Sequence, residues 1–284
     1  MNDVLHVATW NIWWRYGQWR TRDAAVRATL NHIAPDVVAL NEVWEEVGGE
    51  SQAEQLSREL GYHVVSHCPP KQAGLGSGNA LLSRWPIRRS DILMLGSTRC
   101  VLYAEFDSPH GALSVFVTHL TWRPDDSGRR QEQLGEVLKF VRDNHRAELP
   151  PILMGDLNAE PDSDELRMLT GRMAVPVRSL VFVDLWEQVG DRSAGYTWDR
   201  ANRYNAGEPW SSRRLDYVLV GLPTITPVTA WVVPLRCRLA GVTAVDGVQA
   251  SDHYAVTAEL RCMHTANKHN QQMRRSGVDH VAFS

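Results

Sequence analysis

Residues 150–163, PPILMGDLNAEPDS, drive an apolar, strand-like run straight into Asp156 and Asn158 before Pro161 stops it. An unpaired carboxylate at the end of a buried strand is costly. Asp and Asn also favour turns, so this stretch alone reads equally well as a strand running into a loop. The same arrangement recurs elsewhere in the chain. Asn11 ends VATWN, Glu42 ends VVALNE, and His119 closes LSVFVTH. Asp252 and His253 sit immediately before another apolar run, and Asp216 interrupts RRLDYVLV. Within a strand, Asn11 shares a face with Val7 and Thr9, and Glu42 shares one with Val38 and Leu40. So many polar strand ends carry a prohibitive burial cost unless they converge and neutralise one another or a cation.

Working outward, β-branched and apolar runs recur as VLHVATWNI, DVVALNEV, YHVVS, NALLS, CVLYAEF, ALSVFVTHL, PILMGDL, LDYVLV, VTAWVVP and YAVTAEL. These read as strands, several of them buried on both faces. Helical patterns lie between some of them. TRDAAVRATLNHIAP places Val26, Leu30 and Ile33 on one stripe and stops at Pro35. SQAEQLSREL opens with Ser51 and Glu54 at capping-box spacing, and Gly61 closes it. RRQEQLGEVLKFVRDNH puts Leu134, Val137, Leu138 and Val141 on one face. FDSPHGALSV reads as a hairpin turn. The pattern predicts mixed α/β layering. One domain is expected over residues 1–262, followed by a loosely held tail over 263–284.

The 284 residues are 43% hydrophobic and 22% charged, with a formal net charge of -3. That balance argues against a protein that coats long duplex nucleic acid, which needs a basic face. No signal peptide is expected from the start of the chain, and no run approaches the ~18 apolar residues of a membrane span. Cys68, Cys100, Cys237 and Cys262 show no paired spacing. They read as reduced thiols of a cytoplasmic protein. Hard oxygen donors without a Cys or multi-His cluster suit Mg²⁺, or Mn²⁺, rather than zinc. A sparse carboxylate site with histidines and amides suits phosphoryl chemistry.

In order, TWN, LNEVW, GNALLSRWPI, THL, GDLN, RRLDYVLV and SDHYAV resemble the motifs of the endonuclease/exonuclease/phosphatase superfamily. The resemblance spans about residues 4–260. It implies an α/β fold: a four-layered sandwich of two packed mixed β-sheets flanked by helices, as in DNase I, with the site at one edge. It further implies that Glu42 is the main Mg²⁺ ligand, assisted by Asn11 and Asp252. Asp156 is then the residue that orients and deprotonates the attacking water, with Asn158 beside it. His253, oriented by Asp216, contacts the scissile phosphate, and His119 is the second imidazole. THLTWRP lacks the tyrosine motif of abasic-site endonucleases. The THL strand leading to a helix with a glutamine such as Gln131 is similar to deadenylase-like and general bacterial branches. YTWDRANRYN, which holds Trp198 and Asn202, resembles instead the substrate loop of tyrosyl-DNA phosphodiesterases.

Eleven tryptophans are many for this length. Trp10 and Trp44 read as packing, whereas Trp13, Trp14, Trp122, Trp198 and Trp210 lie in loop-like segments, placed to stack on bases or to meet an apolar leaving group. Arg15, Arg20, Arg123, Arg129, Arg200, Arg203, Arg213 and Arg214 read mostly as a solvated face. Arg99 is the residue expected to reach substrate phosphate; Asn79 and Arg84 are expected chiefly to brace the site, with phosphate contact a second expectation for Asn79. The reading favoured is a Mg²⁺-dependent phosphodiesterase acting on nucleic acid or an oligonucleotide. A small phosphate ester or phospholipid head group is the alternative substrate, and a catalytically dead binding module is the third reading. No obligate protein partner is expected.

Overall fold

The structure, a computed structural model, describes residues 4–72, 74–222 and 229–265. Its elements begin β1 (Val4–Asn11), α1 (Trp19–Ile33), β2 (Val37–Glu46), α2 (Gln52–Leu60), β3 (His63–His67), β4 (Pro70–Gln72) and β5 (Leu75–Ser83). They continue β6 (Ile87–Met94), β7 (Cys100–Ser108), β8 (Gly111–His119), α3 (Ser127–Asn144), β9 (Ile152–Asp156) and α4 (Asp164–Leu169). The last are β10 (Phe182–Asp184), α5 (Leu185–Val189), β11 (Asp216–Gly221), β12 (Ala230–Ala240) and β13 (Ala255–His264). One seven-stranded sheet runs β12-β13-β1-β2-β5-β3, with β4 also on β5; the other, six-stranded, runs β10-β11-β9-β8-β7-β6.

Strand alternation sorts the apolar side chains into layers. Val7, Val37 and Ala39 of the first sheet pack against Val115, Val117, Met154 and Val218 of the second, forming the core between sheets. Their neighbours Trp10, Val38 and Leu40 face outward onto Val26 and Leu30 of α1 and Leu56 of α2. On the far side, Phe116, Leu153 and Leu219 meet Leu134, Val137, Leu138 and Val141 of α3 and Leu166 of α4. The result is a four-layered α/β sandwich. The capping box of Ser51 and Glu54 opens α2, and Gly61 at φ +73° closes it. β7 and β8 form the expected hairpin, with Ser108 opposite Gly111.

Two parallel pairs set where the polar strand ends lie. β1 crosses over through α1 to pair with β2, and β8 crosses through α3 to pair with β9. Each crossover brings two strand C-termini to the same end of its sheet. β13 extends to His264, past the expected boundary at 262. The rest of the expected tail, residues 266–284, lies outside the described residues. Among the described residues no helix is long and apolar enough to cross a membrane.

Candidate active site

Register aligns the polar strand ends into two facing rows. In the first sheet Asn11 pairs with Asn41, and Asn41 with Asn79. In the second, His119 pairs with Asp156, and Asp156 with Asp216. Both rows point between the sheets and are stitched together there. Asn11 Nδ2 donates to Asp156 Oδ2 at 3.0 Å. The Asp156 backbone N–H donates to Asn41 Oδ1 at 2.9 Å, and Asn41 Nδ2 donates to Thr118 O and Asn79 Oδ1. Asn79 in turn donates to Cys100 O at 3.0 Å. It is buried in this lattice and stands behind the cleft wall, so the expectation that it reaches phosphate is corrected: its amide is consumed in joining strands.

Glu42 reaches the site by a different route. Simple alternation puts it with Val38 and Leu40 on the helix-facing side. A β-bulge between Asn41 and Val43, with Glu42 at φ +57°, turns its side chain toward the rows instead. Asn11 Nδ2 donates to Glu42 Oε1 at 3.2 Å, while Oε2 is buried with no hydrogen-bond partner. Nearby, Asp252 is pushed up to about 7, chiefly by burial; His253 opposes the rise and Glu42 adds to it. An orphaned carboxylate oxygen beside a second carboxyl that resists ionisation is a donor set that a cation would satisfy. Glu42, Asn11 and Asp252 therefore fit a divalent metal ion. Asp156, Asp216 and His253 also offer atoms within 4.8 Å of one another. That cluster is the weaker candidate, because Asp216 Oδ2 is already taken by His253 Nδ1, which leaves only Asp216 Oδ1 buried without a partner.

The two histidines are held by opposite partners. His253 Nδ1 and Asp216 Oδ2 are 2.7 Å apart, and Trp10 Nε1 donates to His253 O at 2.9 Å. Burial by itself would lower His253, but the carboxylates of Asp216, Asp252 and Asp156 outweigh it and hold the ring well above its usual range. His119 Nδ1 lies 2.6 Å from Arg99 Nη1. Burial, reinforced by the Arg99 charge, holds His119 well below the imidazole range. Asp156 sits between them, with His119 Nε2 at 3.5 Å and His253 Nε2 at 3.9 Å from Oδ2. Burial and the neighbouring Asp216 carboxylate raise its pKa. Its Oδ1 accepts from the Asn158 N–H at 2.9 Å, with Asn158 at φ +49°.

These groups open onto a cleft of about 640 Å³. Asn11, Glu42, Arg99, His119, Trp122, Asp156, Asn158, Trp198, Asp252 and His253 line it. Asp216 stands directly behind His253. Trp13 and Trp210 complete an aromatic rim; Trp122 is 60% exposed and Trp210 44%. Trp14 is buried instead, its indole N–H donating to Gly76 O. Asn202 is a second correction: its Nδ2 donates to Ser251 O at 2.8 Å, bracing the Asp252–His253 turn from outside the cleft. Arg213 is no solvated residue either, for it lines the cleft against Trp198 and Trp210, and Arg214 is buried on Asp184.

Residues 8–253 match the family model described as the Endonuclease/Exonuclease/phosphatase family. The chain belongs to that family. It is accordingly a phosphoric ester hydrolase of a divalent-metal-dependent family. No curated protein sequence matches it. Among solved structures, D. rerio TDP2 complexed with single strand DNA product is 23% identical with a TM-score of 0.72, covering 91% of this chain and 99% of that one. An endonuclease/exonuclease/phosphatase from Beutenbergia cavernae DSM 12333 is 27% identical with a TM-score of 0.67, covering 91% and 71%. One from Bacteroides vulgatus is 19% identical with a TM-score of 0.69, covering 92% and 99%.

Sequence reasoning missed several supports of this family member's site. Asn41 was within reach, since alternation places it inward with Val37 and Ala39. Arg22 carried no signal: it reads as the polar side of α1, yet it is buried and donates to the carbonyls of Ile12, Trp13, Trp14, Tyr16 and Ala250. The glutamine that braces the loop after β8 is Gln133, which accepts from Thr121 N and donates to Leu95 O. Gln131 donates only to Ser127 on its own helix. Lys71 and Tyr204 also join the cleft wall.

Proposed function

We propose that this family member is a Mg²⁺-dependent phosphodiesterase that cuts single-stranded nucleic acid or an oligonucleotide, working in the cytoplasm where its thiols stay reduced. The observation that carries the reading is the meeting of Asn11, Glu42, His119, Asp156, Asn158, Asp252 and His253 in one cleft rimmed by indoles and guanidiniums. Glu42, Asn11 and Asp252 are the residues that would hold the ion, and oxygen donors suit Mg²⁺. Bound there, it would supply positive charge to a phosphate oxygen.

The protein's own groups do the rest. Asp156, fixed by Asn11 and the Asn158 N–H, orients the attacking water and takes its proton. Asn158 steadies the same water or a phosphate oxygen. His253, kept cationic by Asp216, donates to the phosphate as negative charge develops, and His119 donates from the other side. Trp122 and Trp210 offer exposed faces for unpaired bases at ~1–3 kcal/mol each, while Trp198 is buried in the cleft wall against Arg213. A base still paired in a duplex cannot offer its face in that way. The TDP2 neighbour described with a single strand DNA product supports a substrate of this kind.

The deciding assay is a panel of single-stranded DNA, RNA, duplex DNA, bis-p-nitrophenyl phosphate and sphingomyelin, each with Mg²⁺ and with EDTA. Cleavage of single strands that EDTA abolishes is the expected result. Turnover confined to the small or lipid esters would remove the nucleic-acid reading, and turnover in EDTA would remove the metal.

A further inference from the structure

The His119–Arg99 contact carries more information than proximity. A guanidinium only donates hydrogen bonds. At 2.6 Å from Arg99, Nδ1 of His119 must therefore present its lone pair, and the ring's single proton sits on Nε2. That Nε2 faces Asp156 and the cleft at 3.5 Å. His253 is built the other way round, since its Nδ1 meets the acceptor Asp216. The antiparallel ladder pairing Val101 with Thr118 brings Arg99, just before β7, alongside His119, so the contact belongs to the sheet and not to a mobile arm.

We propose that Arg99 is a positioning residue: by donating to Nδ1 it locks His119 as the Nε2–H tautomer, a directed donor to the phosphate opposite His253. The inference rests on the phosphodiester reading of the cleft. It revises the expectation that Arg99 itself grips the phosphate. Without the guanidinium, His119 is released to put its proton on Nδ1, leaving Nε2 unable to donate.

The test has two arms. In ¹⁵N-histidine NMR of the intact, substrate-free protein, with His119 assigned by loss in His119→Ala, Nδ1 should report an unprotonated acceptor and Nε2 a protonated nitrogen. Arg99→Met should mix or invert that pattern, and Arg99→Lys, which keeps a donor, should restore part of it. A wild-type ring protonated on Nδ1 overturns the proposal. In the second arm, Arg99→Met should lower kcat/KM on the best diester of the panel by about 10–100-fold. The same change made in His119→Ala should cost less than about 2-fold, because its target is gone. Equal losses in both backgrounds would mean that Arg99 touches the phosphate directly, and the proposal fails. If no diester is cleaved at all, the functional reading fails separately, and the NMR arm still decides the tautomer.

Discussion

Replacing Glu42 with Gln separates a metal ligand from a merely catalytic acid. The side chain sits on the bulge of β2 with Oε2 buried and unpartnered, and its charge helps to push Asp252 from 3.8 up to about 7. A rise of that size corresponds to about 4 kcal/mol of ionisation cost, which burial dominates and Glu42 shares. The fold thus sets a second carboxyl, Asp252, against the charge of Glu42. Gln keeps Oε1 for the Asn11 amide and removes one negative charge. In EDTA the variant should therefore match the wild type or exceed it by about 1 kcal/mol or less. With Mg²⁺ at about 100 times its Kd, the wild type should gain about 2.7 kcal/mol by mass action. For 284 residues that is a rise of about 4–5 °C in Tm. Glu42→Gln should gain under about 1 °C and lose about 10²–10³-fold in kcat/KM. Calorimetry in EDTA and in MgCl₂ reads the Tm shifts, and the diester assay reads the rate. A variant that keeps the wild-type Mg²⁺ shift, or that loses more than about 1 kcal/mol in EDTA, refutes the assignment.

Other expectations rest on single contacts. Burial holds His145 at about 4 instead of 6.5, with Nδ1 enclosed and unpaired. Between those values the unfolded chain binds the additional proton, so stability falls as pH drops from about 6.5 to 4, by up to about 3 kcal/mol. His145→Asn should remove that component, and urea midpoints at pH 7 and pH 4.5 that stay parallel to wild type would contradict it. A Cβ on Gly155, at φ +133°, would lie 2.0 Å from Thr118 O across the β8–β9 ladder. Gly155→Ala should cost about 3 kcal/mol or more in urea unfolding, and an unchanged midpoint would show that the ladder yields. Lys71 packs its ammonium 4.2 Å from the Trp14 ring centroid at the cleft wall. Lys71→Met should make the salt dependence of single-stranded DNA binding shallower by about 0.7 in log–log slope, measured by anisotropy, and leave turnover of bis-p-nitrophenyl phosphate unchanged.

Local signals were legible in the sequence wherever one strand or helix decides the outcome. The runs ending at Asn11, His119 and Asp156 are strands, and alternation correctly points all three between the sheets. The stripe of α3 and the caps of α2 are where periodicity and Ser51, Glu54 and Gly61 put them. β6 escaped notice because IRRSDILM is an exposed edge, and edges carry charges that break the apolar pattern. Glu42 was chosen for its type and position, but its stated face was wrong. A bulge is set by how two strands pair, and no residue type near Asn41 announces it.

The same reason explains Asn79, Asn202 and Arg22. Whether a buried amide serves substrate or scaffold depends on what the opposing sheet presents to it. In this fold the partners are far apart in the chain: Asn11 and Asp156 are separated by 145 residues, Asn41 and Asp156 by 115. Motifs name the side chains that end at the cleft. Register between strands, and packing between sheets, decides which of them face the phosphate and which hold the others still. That division is physical as well as descriptive. In the role proposed for it, Asp156 could serve as a base only because Asn11 and Asn41 fix it from the other sheet, and a buried carboxylate free to rotate would lose both its geometry and its partners.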